Sequence, residues 1–168
     1  MRKVFFISAV LAAGALLSAA ASAQQALPFP KDWKTWTHVT TTVVTDKKHP
    51  AFGIRHIYVN DKGREAALSG AKAFPDGSAV ILVFYDIVNL QLPHPKGGKS
   101  PKMVMGKRTK LDLMVKNSAR YAETGGWNYA RFALPGEKFQ AKVPYKKACF
   151  GCHSRVKSLD FVFTRVPK

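Results

Sequence analysis

The run AVILVFYDIVNL, Ala79 to Leu90, constrains the fold of this chain more than any other stretch. Extended, it is apolar on both faces, so it reads as a central strand with cover on either side. Its neighbours are strand-like too. HVTTTVVT, His38 to Thr45, is almost wholly β-branched, which suits a pleated surface and disfavours a helix. GIRHIYVN follows the turn residues Asp46 to Pro50. KLDLMVKN alternates, with Leu111, Leu113 and Val115 on one face and Asp112, Met114 and Lys116 on the other. WNYARFAL is a further strand, and DFVFTRV closes the chain with Phe161 and Phe163 on one side. The best helix is GREAALSGAKAF, weakened by Gly70 and ended by the turn FPDGS; ARYAETGG is a turn or a short helix. The body is mainly β with a few short helices.

The N-terminus sets the expected compartment. Arg2 and Lys3 precede an apolar run from Val4 to Leu17, and Ala21-Ser22-Ala23 offers small residues for cleavage. That pattern is a secretory signal peptide over residues 1–23. The run is short of the ~20 apolar residues of a membrane span, and no later segment reaches that length. Residues 24–168 are then one exported, periplasmic domain, long enough for a hydrophobic core. The sequence carries 27 Lys plus Arg against 10 Asp plus Glu, a net charge of +17, of which the leader supplies two. An exported chain rarely meets nucleic acid, and these lysines are dispersed, so no nucleic-acid partner is expected. The densest group, Lys96, Lys99, Lys102, Lys107, Arg108 and Lys110, reads as a solvated loop that keeps the protein soluble or steers anionic partners.

Only two cysteines occur, in CFGCH: Cys149, Cys152 and, directly after, His153. A disulfide or a redox dithiol would use the cysteines alone. A structural zinc site would need a fourth ligand at a spacing absent here. Covalent attachment of one haem c uses all three residues. The thiols add across the two porphyrin vinyl groups, and His153 falls beneath the iron as its axial ligand. For the opposite face of the iron the chain offers Met103, Met105, Met114, His38, His49, His56 and His94. LPHPKGGKSPKMVMGKR could present an axial methionine, but it also reads as an exposed connection leading into the next strand. No residue is singled out by spacing.

AFGIRHIYVN, FPDGSAVILVFYD, LDLMVKNSARYAETGGWNYARF and the terminal CFGCHSRVKSLDFVFTRV, in that order, resemble the cytochrome P-460 family and, within it, the cytochromes c′-beta. The resemblance covers most of the chain after the leader. It implies a mainly antiparallel β fold, a homodimer, and one five-coordinate c-type haem with an open distal side. Enzymatic members oxidise hydroxylamine with a haem cross-linked through a lysine in the strand after FPDG. Here that strand contains no lysine, the matching position is Leu82, and Lys72 and Lys96 fit poorly. A distal carboxylate or amide of such members would fall near Ala130.

In the c′-beta branch apolar side chains cap the iron. The matching residues are Phe52 and Leu82, with Phe84 as the alternative to Leu82; each could equally be ordinary core. Arg155 or Lys157 matches a cation near the proximal side, or a propionate partner. Trp127 and Tyr129 read as packing. The resemblance thus implies a binding protein for small neutral gases such as NO and CO. The alternatives are a hydroxylamine-oxidising enzyme, and a six-coordinate electron-transfer cytochrome with a redox partner protein.

Overall fold

The computed structural model describes residues 26–164 apart from Lys72 and His94. The expected signal peptide lies outside the described residues, as do Lys72, His94 and the last residues of the expected closing strand. Six strands form one antiparallel sheet in chain order: β1 Thr37–Val44, β2 Gly53–Val59, β3 Ala79–Pro93, β4 Lys99–Lys116, β5 Trp127–Ala133 and β6 Lys138–Phe139. Helix α1, Asp61–Ser69, joins β2 to β3. The Asn60 side chain caps it by accepting the Gly63 N–H, and Gly70, at φ 71°, ends it in the left-handed conformation. After β6 come three consecutive helical pieces: a π turn Lys146–Phe150, an α turn Gly151–His153 and a 3-10 stretch Ser154–Leu159. Together they make the terminal helical segment.

The central strand is β3, covered on both sides as its composition requires. On one face Ile81 and Val83 pack with Leu111, Leu113, Ala130 and Phe132 under an N-terminal cover that includes Leu27 and Trp33. On the other, Val80 joins Ile57, Val59, Met114, Trp127 and Tyr129. Ala66, Ala67, Phe74, Phe161 and Val162 close that side, and Leu82, Cys149 and Phe150 pack against it. The sheet is therefore the floor on which the cysteine-bearing segment rests.

Two expectations change. The lysine-rich stretch from Lys99 onward is strand, not loop. β3 and β4 run on together to the pair Pro93↔Lys99, while β2 leaves β3 at Tyr85 and β5 leaves β4 at Lys110. Met103, Val104 and Met105 pair with Asn89, Val88 and Ile87, and long lysine stems lie along a ribbon while their amines stay in water. The result is a two-stranded arm projecting from the sheet. The second change concerns DFVFTRV. Its described residues form no strand; Asp160 and Phe161 lie at φ 51° and 62°. Side-chain bonds and short-range backbone bonds, rather than a ladder, hold them in place.

The strongest of these is the ion pair Lys116 Nζ–Asp160 Oδ1 at 2.5 Å, with the two side chains only 7% and 10% exposed. Breaking a buried pair from one side leaves a charge without its partner, so Lys116→Met is expected to lower unfolding free energy by ~3–5 kcal/mol. Lys146→Met, which breaks the exposed pair with Glu123, is expected to leave the urea midpoint in place.

Candidate haem site

The helical geometry of residues 146–159 sets Cys149 and Cys152 one turn apart, both as free thiols. Cys152 is exposed, whereas Cys149 is half-buried against the sheet-side core. Burial and the nearby Asp112 carboxylate push the Cys149 thiol up to about 11. His153 is half-buried between aromatic rings, with Tyr129 at 5.1 Å and Phe163 at 5.0 Å between centroids. Its Nδ1 lies 2.6 Å from the Phe161 carbonyl oxygen. A carbonyl can only accept, so Nδ1 carries the proton and Nε2 is left with its lone pair. Burial also lowers the His153 pKa, against the opposing effect of that bond, which keeps the ring neutral. A neutral imidazole with an oriented Nδ1–H and a bare Nε2 is the state a metal-ligating histidine needs. These residues fit a haem held by two thioethers and one axial nitrogen.

The sheet positions on the covered face follow from register. Arg55↔Phe84↔Lys110, Ile57↔Leu82↔Asp112 and Val59↔Val80↔Met114 run across β2, β3 and β4. On β5, Arg131 opposes Asp112 and Tyr129 opposes Met114. Leu82 and Phe84 thus share the face against which Cys149 packs. Phe84 is buried, with Lys110 Nζ 4.4 Å from its ring centroid. Phe52 lies in the turn before β2, half-buried, its N–H donating to the His49 carbonyl. Lys110 ties that turn to the same end of the sheet through the Pro50 carbonyl, at 3.4 Å. Arg155 is exposed, on the 3-10 stretch just after His153.

Ala130 is on the wrong face. It packs with Ile81, Leu113 and Phe132, across the sheet from His153, because residues two apart on β5 share a face and Ala130 is one removed from Tyr129. The carboxylate on the covered face is Asp112, held by Arg131 through two bonds of 2.6 Å from Nε and Nη2. Hydrogen bonding to Asp112 raises the Arg131 pKa; burial lowers those of Lys110 and Arg55. The face above the cysteine-bearing segment is therefore apolar at Ile57, Val80 and Leu82 and charged at one end, not uniformly greasy. The sequence contained a signal for this, since KLDLMVKN puts Lys110, Asp112 and Lys116 on one face. That face reads as solvent-exposed until the terminal segment is laid across it.

The other candidate iron ligands are dispersed. Met103 and Met105 are exposed on the arm, and His38 and His56 lie with Tyr58, whose side chain packs with the opposite core. The His49 ring accepts the Ala51 N–H within its turn. Met114 is buried in the covered-side core with Trp127, Tyr129 and Phe161.

In haem-free protein at pH 8, iodoacetamide is expected to label Cys152 several-fold faster than Cys149, a difference that narrows above pH 11 as the Cys149 thiolate forms. Peptide mass spectrometry reads the two rates.

No curated protein sequence matches the chain. A family model described as Cytochrome P460 matches residues 30–164, which takes in the whole sheet, the terminal helical segment and the residues around His153. With most of its length matched, the chain belongs to the cytochrome P460 family of haem-binding cytochromes.

Proposed function

We propose that this chain is an exported, periplasmic cytochrome carrying one haem c on Cys149 and Cys152, five-coordinate through His153, which binds small neutral gases such as NO and CO. The observation that carries this reading is the position of Leu82. It occupies the middle of the covered sheet face, between Ile57 and Asp112 in register, where the resemblance would set a cross-linking lysine in a hydroxylamine oxidase. An aliphatic side chain there offers the iron no ligand and a bound diatomic no hydrogen bond. Met103, Met105, His38, His49 and His56 sit on other parts of the fold, which supports a vacant sixth position. Haem supplies the affinity for NO and CO; the chain's residues orient His153 and crowd the other side.

The optical spectrum of the ferric and ferrous protein tests this directly. A high-spin ferric haem that takes up NO and CO after reduction is the expected result; a resting low-spin haem bound by a protein sulfur would defeat the reading.

One observation favours the hydroxylamine-oxidising alternative. Lys110 and Asp112 bring an amine and a carboxylate to the covered face from β4, beside Phe84 and Leu82. Mass spectrometry of the protease-digested protein separates the two. Haem recovered only on the peptide holding Cys149 to His153 is expected; haem also joined to a Lys110 peptide would favour the enzyme.

The arm supports the homodimer that the resemblance implies. Val88, Leu90 and Leu92 are exposed from one strand, Met103 and Met105 from the other, and a lone two-stranded ribbon is marginal in water. A ribbon about 25 Å long and ~10 Å wide offers roughly 250 Å² per face. Two copies burying both faces of both arms reach the ~1,000 Å² a stable interface needs. Sedimentation velocity is expected to show a dimer that tightens with salt, as screening relieves repulsion between cationic arms, and that Val88→Asp turns into monomer.

A further inference from the structure

The residue that holds His153 is itself held in an unusual way. Phe161 belongs to neither strand nor helix, and it follows Asp160 with both residues at positive φ, 51° and 62°. Side chains disfavour that region, above all bulky ones, so the conformation persists only where its surroundings over-determine it.

Those surroundings converge on Asp160. One carboxylate oxygen accepts from Lys116 Nζ at 2.5 Å and the other from the Phe74 N–H at 2.8 Å. The Asp160 carbonyl accepts from Trp127 Nε1 at 2.9 Å. The Asp160 N–H donates to the Lys157 carbonyl and the Phe161 N–H to that of Val156, both at 3.0 Å. Lys116 Nζ also donates to the Gly125 carbonyl, at 3.1 Å. Gly125, at φ 67°, lies so close under the Phe161 ring that a Cβ there would strike it. With its N–H and ring fixed, Phe161 aims its carbonyl at His153 Nδ1.

We infer that the buried Lys116–Asp160 pair positions the Phe161 carbonyl, and through it sets how strongly His153 donates to the iron. The inference rests on the haem reading above. Lys116 stands at the end of β4, opposite Trp127 on β5, so the reference point is the rigid sheet. The chain of contacts runs from Lys116 to Asp160, to the Phe161 carbonyl, to His153 Nδ1, leaving Nε2 for the metal. A well-placed acceptor makes the imidazole richer in electrons, strengthens its bond to iron and favours the ferric state. Lys116 and Asp160 are positioning residues: neither touches the ring.

Resonance Raman spectra of the ferrous, unliganded holoprotein read this directly, through the iron–histidine stretching band. Asp160→Asn removes the charge while keeping an acceptor. Lys116→Met/Asp160→Asn removes both charges together, so no ion is left unpaired in the core. Both variants are expected to shift the band to lower frequency and to raise the midpoint potential. Leu113→Ala, in the opposite core, is expected to lose stability with the band unmoved. A band unmoved in both pair variants, or pair variants that never attach haem while Leu113→Ala does, would mark the ion pair as structural alone and overturn the inference. A colourless parent protein would instead sink the haem reading itself.

Discussion

Everything in this molecule follows from the need to cover both faces of β3. A strand with Val80, Leu82 and Phe84 on one side and Ile81 and Val83 on the other loses the hydrophobic contribution of either row if that side stays wet. The N-terminal stretch with Leu27 and Trp33 answers for one face, and α1 with the terminal helical segment answers for the other. The second cover carries CFGCH. Cys149 and the imidazole are thus pressed against the sheet by the same burial that stabilises the strand, and the site is a by-product of the core's second layer.

That layer is not uniformly apolar. Asp112 with Arg131 and Lys116 with Asp160 place two ion pairs on the covered face, one near Cys149 and the other near His153. Buried ion pairs are poor stabilisers compared with good apolar packing, because the charges must leave water. Their value here is geometric. The Asp112–Arg131 fork fixes a carboxylate beside the cysteines in one orientation, and the Lys116–Asp160 pair pins a turn that no ladder or helix would hold. Both lie on the face that the terminal segment covers, so the fold is least apolar where position matters most.

The sheet was largely legible in the sequence, since β-branched runs and period-two alternation report local preference and burial together. The arm was not. The lysines, Pro101 and Gly106 between Lys99 and Lys110 have the composition of a solvated loop, and only the pairing partner across the hairpin makes them strand. The terminal DFVFTRV misled for the opposite reason. Its alternation is strand-like, yet Asp160 meets its partner Lys116 44 residues back, and that contact overrides local preference. Ala130 went to the wrong face because on a strand a displacement of one residue inverts the side-chain direction.

The sequence by itself determined the make-up of the candidate site and the scaffold class: two cysteines and a histidine directly after the second, on a body rich in strands, are local facts that no folding can undo. Only the tertiary structure decided what surrounds them. Which face of the sheet they lie on, that Leu82 and Phe84 share it with Asp112 and Arg131, and that the Phe161 carbonyl meets His153 all depend on register and on contacts between distant segments. Those are set by the joint burial of many side chains, a property of the whole fold that no single stretch encodes.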